Sequence, residues 1–343
     1  MNAQTNARTH HGSIGASNTL ILPTPNVSHH GLTTTQSTLP FTAREAVLLR
    51  NYVENMALWA DITDVQRHFE LEVPRRSLYN PILRYAIFAF SSRHLNRNTQ
   101  DATTEALKYY DKCLGLLIEA VDEKNGPVDE ETLTAIAVLR QYEEMDADDK
   151  EFHLNGTSRI VNSMSILDFR GSLGEAAAWL CLRQDIYISL VRQRPLRSDL
   201  GNYLRSDVFK RSDDAAYASR MVFLLAKTLS IAFSSTTPCH SGNGLEGITS
   251  EVDGWFESKS PSFNPISEAK RSRAEGRLLP EMWLLSPFHG SFLASLDGKL
   301  EVNRDLAVGL QYYHIAKIVI AVSTPLVAST VMSSIREGKQ REV

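Results

Sequence analysis

From Thr42 onward, apolar side chains return every three or four residues, and no stretch sustains an apolar–polar alternation with a period of two. A chain patterned in this way buries its apolar surface as stripes along helices. The expected fold class is therefore all-α, a multi-helix bundle. The first helix opens at Thr42-Ala43-Arg44-Glu45, which fits a capping box, with Leu48, Leu49, Tyr52, Met56 and Trp59 following at helical spacing. Asn80-Pro81 starts a second helix, proline being tolerated in a first turn. Its body, Ile82 to Phe90, is apolar nearly all round and belongs at the centre of a core. A third runs from about Asp101 to Val121, with Ala106, Tyr109, Tyr110, Cys113, Leu116 and Leu117 on one face, and Gly126-Pro127 ends that segment. Asp129, Glu130 and Glu131 suit the positive end of a helix that continues through Leu133, Ile136 and Arg140.

Further along, the acidic stretch Glu143–Glu151 reads as a turn or a solvated helix end. A short helix follows from about His153 to Met164, then a break at Gly171–Gly174 and a long helix from about Glu175 to Gln193. Arg194-Pro195 stops it, because proline pushes the preceding residue out of the α region. A helix covers about Asp213–Phe233. Residues 234–250 are rich in Ser, Thr, Gly and Pro and read as a loop, after which Val252, Trp255 and Phe256 resume a short helix. Pro261, Pro265 and the charged run Glu268–Arg277 predict an irregular crossing. Asn303 to about Val322 forms the last strong helix, and a final one follows Pro325. Residues 1–41 lack the apolar content to offset the entropy of ordering and are expected to form a disordered tail. The helical domain then spans residues 42–335, with a polar tail at 336–343.

Charge narrows the function. Lys and Arg number 36 against 40 Asp and Glu, a formal net charge of −4. Affinity for a phosphate backbone comes largely from Lys- and Arg-driven counterion release, so this balance speaks against direct DNA binding. The three cysteines, Cys113, Cys181 and Cys239, lie too far apart for a zinc-finger spacing or a disulfide framework. Cys113 and Cys181 fall within helical apolar patterns and read as small buried hydrophobes. No run of about 18 unbroken apolar residues predicts a membrane span. The N-terminus lacks the basic and apolar regions of a secretory signal, so an intracellular, reducing compartment is expected.

No catalytic, cofactor-binding or metal-binding residues stand out. Gly242-Asn243-Gly244-Leu245-Glu246-Gly247 matches G-x-G-x-x-G, but a dinucleotide site needs that turn between a buried strand and a helix, and polar turn formers precede it here. A flexible loop is the expected state. Cys239-His240 are adjacent in the same loop, which rarely gives a thiol a base in the right geometry. The pairs His10-His11 and His29-His30 read as solvated tail residues rather than metal ligands. Glu143, Glu144, Asp146, Asp148 and Asp149 lack the glycine and terminal glutamate of a calcium loop. Arg183-Gln184-Asp185 sits in the middle of an apolar helix. A buried Arg–Asp network that fixes helix register is the leading reading, and contact with a small ligand is the alternative.

An ordered set of short segments carries a resemblance. Leu133 to Met145 (LTAIAVLRQYEEM) precedes His153-Leu154-Asn155-Gly156. Trp179 to Ile186 (WLCLRQDI) follows, closing at Arg194-Pro195. Trp255, then Pro261 to Ile266 (PSFNPI), then Leu279 to Trp283 (LPEMW) and Gly309 to His314 (GLQYYH) come later. Together these resemble the fungal-specific transcription factor domain, the helical effector region found downstream of a binuclear zinc cluster in fungal regulators. The resemblance implies a nuclear transcription regulator or co-regulator of a fungal pathway, secondary metabolism among them, and no enzymatic activity or cofactor. It implies protein partners, either a second copy of the chain or a zinc-cluster regulator, and a small-molecule effector is a further expectation. The sequence departs from the pattern in two respects: residues 1–41 hold no cysteine, so the six-cysteine zinc cluster is missing from these 343 residues, and the family region often continues through further helices where this sequence ends in a polar, charged tail at Val343. A fragment of a longer factor and a free-standing modulator both fit. The rival readings are a metabolite-binding sensor and an enzyme built from scattered residues such as Arg183, Asp185 and His153.

Overall fold

In a computed structural model, residues 41–97, 102–123, 128–146, 151–163, 171–234, 241–265, 267–270, 272, 281–283 and 308–323 are described. The expected tails, the Gly126-Pro127 break, the Cys239-His240 pair and the helix after Pro325 lie outside them. Helix α1 (Ala43–Asn51) starts at the predicted capping box: the Glu45 amide donates to Thr42 Oγ1 at 3.2 Å and the Thr42 amide to Glu45 Oε2 at 2.9 Å. One widened π turn, Tyr52–Met56, carries the chain into α2 (Ala57–Ala60).

Next comes a helix that the pattern did not show, α3 (His68–Arg76), short and with Pro74 inside it. Its first residue follows Arg67, whose backbone is left-handed at φ 55° and offers no side-chain cap. The orphan amides are met from upstream instead. Asp61 accepts from Phe69 and Glu70, and Asp64 accepts from His68, each at 2.8 Å.

Helix α4 (Pro81–Asn96) begins at Asn80, whose side chain caps the Leu83 amide. It is buried nearly all round and packs on α1, α5 (Ala102–Glu123) and α6 (Glu130–Glu143), as its apolar circumference predicts. Asp129 caps α6 through the Thr132 amide at 2.8 Å. Helix α6 packs on α7 (Phe152–Ser163) and α8 (Leu173–Arg192), and α8 on α9 (Asp214–Ala232). Helix α8 starts two residues before the expected Glu175, capped by Ser172, and ends at Gln193 in a left-handed conformation, φ 51°. Helix α9 packs against α10 (Ser241–Glu257) and α11 (Val308–Ser323). It is long and apolar enough to cross a membrane by composition alone, but 61% of its apolar stretch is buried inside the protein, as in the core helix of a bundle.

The core runs without a break from Leu48 in α1 to Ile320 in α11. Cys113 and Cys181 are buried in it as expected, and burial pushes both thiols up to about 12.

The sequence-based reading is corrected at three places. The segment 234–250 is not a loop throughout: Ser241–Ser250 is the first half of α10, and the G-x-G-x-x-G glycines lie inside that helix. The acidic stretch is not solvated at its ends. Glu143 and Glu151 are buried, Glu143 holding His153 and Arg140, and Glu151 holding Arg192, Arg194 and Arg197. A two-stranded antiparallel ribbon, β1 (Ser267–Ala269) with β2 (Glu281–Trp283), lies within the stretch read as irregular or unassigned. Three residues per strand are too few for an alternation to register.

Candidate functional site

The sequence put Arg183, Gln184 and Asp185 together, and the helix separates them. Residues two apart on an α-helix point in nearly opposite directions, so Arg183 and Asp185 do not pair. Asp185 turns towards the end of α8, where its Oδ2 accepts from the Arg197 and Ser198 amides, each at 2.8 Å. It thereby fixes the chain just beyond the Arg194-Pro195 stop. Gln184 donates to the Ala137 carbonyl of α6 at 3.1 Å. The Arg–Asp network of the leading sequence reading does not form: Gln184 and Asp185 each bond backbone instead. His153 is likewise structural: Nδ1 lies 2.7 Å from Glu143 Oε1, and the ring packs edge-on against Tyr110.

Arg183 goes elsewhere. Its guanidinium reaches back to the end of α2, donating to Thr63 Oγ1 at 2.9 Å, to the Trp59 carbonyl at 3.4 Å and to the Ala60 carbonyl. It is 9% exposed, and burial lowers its affinity for its proton. A cation at a helix C-terminus is favourable, and the hydrogen-bond partners of Arg183 among the described residues are all neutral oxygens. An arginine carries five N–H donors. Three are accounted for here, so at least two have no protein partner among the described residues.

Arg183 lines a small cavity. One wall is a single face of α8, Ser172, Glu175, Ala176, Trp179 and Arg183, spaced at three, four, seven and eleven residues. The opposite wall is the α2–α3 turn, with Thr63, Asp64 and His68, and Val208 and Arg211 close one end. The cavity offers about 60 Å³ for the centres of water-sized molecules, enough for several such molecules.

The other ionisable side chains around it have hydrogen-bond partners. Burial alone would raise Asp64, but the imidazole and amide of His68 outweigh it and hold the carboxyl below its ordinary value. Burial would lower His68, but Asp64 at 2.7 Å raises it. Glu175 accepts from Ser206 Oγ and from the Gly171 amide at 2.7 Å. Arg211 is doubly bonded to Asp213 at 2.7 Å. Asp61, behind the turn, is pushed up by burial to about 7, its two backbone amide bonds offsetting only part of that. Asp61, Thr63, Asp64 and His68 were not singled out from the sequence. The only signal was a polar run of Asp61, Asp64 and His68 at three- and four-residue spacing.

A buried arginine on a cavity wall can bind a ligand. Both described cysteines are buried with raised thiols, and no group of three or more metal-ligating side chains is found among the described residues. The family model described as the fungal specific transcription factor domain matches residues 47–220, from α1 through the first turns of α9. This takes in both walls of the cavity, whereas the segments after residue 220 that contributed to the resemblance fall outside the match. No curated protein and no solved structure matches the chain.

Proposed function

The chain belongs to the fungal specific transcription factor domain family, and on that premise we propose that it is a nuclear regulator or co-regulator of transcription acting through non-covalent contacts. The match over residues 47–220 carries this reading. The mildly acidic balance of the 343 residues supports leaving DNA contact to another module, on this polypeptide or on a partner. Candidate contact surfaces are apolar side chains at four-residue spacing on two helices, Tyr187 with Val191 on α8 and Ile318 with Val322 on α11, all more than half exposed. A second copy of the chain or a zinc-cluster regulator is the partner such stripes would suit. Control of a fungal metabolic pathway, secondary metabolism included, is the setting the family suggests.

Chromatin immunoprecipitation of the tagged full chain, paired with titration of the purified chain against duplex DNA, tests this. The reading expects promoter enrichment in cells, no nanomolar duplex binding at physiological salt and no stoichiometric zinc. Absence of promoter enrichment overturns it. A second reading, that an effector binds the protein and shifts its conformational equilibrium, is favoured by the cavity beneath Arg183.

A further inference from the structure

We propose that the cavity between α8 and the α2–α3 turn is the effector site and that it takes a small monocarboxylate, whose oxygens meet the free N–H groups of Arg183. This rests on the effector reading above and names its ligand class.

The argument starts from the cost of a buried cation. A guanidinium taken out of water is destabilising unless its charge is matched and its donors are filled. Other arginines of this chain that lie largely inside it show what a filled one looks like. Arg76 meets the carboxylates of Glu130 and Glu131. Arg84 donates to the Ser77 carbonyl at 2.9 Å and the Leu78 carbonyl at 2.6 Å, with Phe41 stacked against its guanidinium. Arg183 alone of these combines burial, neutral oxygen partners only and an adjoining cavity. Nη1 and Nη2 of the fork are engaged by Thr63, Trp59 and Ala60, and the residue lines the cavity.

Size and charge select the ligand. The available space suits an acid of a few carbon atoms. Trp179 and Ala176 supply apolar wall for its carbon chain. Asp64 acts on Arg183, and Glu175 stands on the cavity's own wall, so a singly charged acid meets less repulsion there than a doubly charged phosphate. The Thr63 hydroxyl, already bonded to Arg183, stands at the same position and fixes the fork.

Thermal-shift and calorimetric titration of the full chain tests the proposal with acetate, propionate and benzoate. Their neutral amides acetamide, propionamide and benzamide serve as charge controls, and inorganic phosphate as the other oxyanion. At a hundredfold excess over the dissociation constant, a bound acid raises the melting temperature by roughly 5 °C. The expected result is a shift with at least one acid, none with its amide and none with phosphate, lost in Arg183→Gln. Should Arg183→Gln fail to fold, Ala176→Phe fills the same cavity without touching the guanidinium and is expected to abolish the shift too. Phosphate binding through Arg183 in place of the acids overturns the ligand class while leaving an anion site. Equal binding of acids and amides, unchanged in either variant, overturns the Arg183 assignment while leaving an effector elsewhere. No shift with any of these compounds overturns the proposal. Promoter occupancy measured in parallel reports on the transcriptional reading independently of all four outcomes.

Discussion

Asp61→Asn isolates the electrostatics of the α2–α3 turn. The Asp61 carboxyl is buried, and its proton is held up to about 7 from an ordinary 3.8. In the unfolded chain the group is ionised above pH 4, and in the folded chain it stays protonated until about 7. The sign follows. A folded-state value raised above the unfolded one gives stability that is fully present below 3.8 and is lost as pH rises towards about 7, then stays level. Three units at 1.36 kcal/mol each make the full loss about 4 kcal/mol. Asparagine has the same shape and does not titrate. It retains one oxygen for the two amides that Asp61 caps, Phe69 and Glu70, a loss of about 1 kcal/mol that is the same at every pH. Urea denaturation of both proteins between about pH 5 and pH 8 therefore gives a difference that moves by about 3 kcal/mol in favour of the asparagine variant as pH rises and levels off past pH 7. A difference that does not change with pH would show that Asp61 titrates near its ordinary value and that the turn behind the cavity is wet.

Other outcomes follow from single contacts. The positions of Gly247 and Gly254 in α10 have nothing within 4 Å of where a Cβ would sit, so Gly247→Ala and Gly254→Ala each stabilise by about 0.5–1 kcal/mol, read as a higher denaturation midpoint. Lowered midpoints would place those residues outside a regular helix. Asp185→Ala frees the Arg197 and Ser198 amides and destabilises by about 3 kcal/mol, two charged hydrogen bonds at about 1.5 kcal/mol each; a neutral effect would mean that the turn after Pro195 holds itself. Cys113 and Cys181, both buried with thiols near 12, resist a thiol-specific reagent in the native protein and react once it is unfolded; rapid native labelling of either would contradict their placement.

How far the sequence reaches is clearest at its errors. Caps and periodicity locate α1, α4, α5, α6, α7 and α9 within a few residues, because Thr42, Asn80, Asp129 and Asp213 supply local signals that the fold uses as they stand. In α10, composition and periodicity point in opposite directions, and periodicity prevails. Its four glycines, Gly242, Gly244, Gly247 and Gly254, cost about 4 kcal/mol relative to alanine. Leu245, Ile248, Val252 and Trp255 stand at three- and four-residue steps and are all buried, and burying four such side chains contributes more than the glycines cost. Helix α3 was missed because its cap comes from Asp61, eight residues upstream of Phe69 and across a turn, which no local window contains. The cavity was illegible for a related reason. Arg183 meets Thr63 across 120 positions, so the sequence could show a polar residue on an apolar helix but not what it faces. Glu143 and Glu151 looked solvated because one-dimensional charge runs hide their partners, His153 and the arginines near 194.

The most direct measurement is transcription itself. The full chain fused to a heterologous DNA-binding domain, and expressed in fungal cells with the matching reporter, is expected to raise or lower reporter transcript several-fold relative to the DNA-binding domain alone. Arg183→Gln should change the response without changing protein level. An unaltered reporter, with the fusion present in the nucleus and folded, would contradict a role for this helical scaffold in regulating transcription.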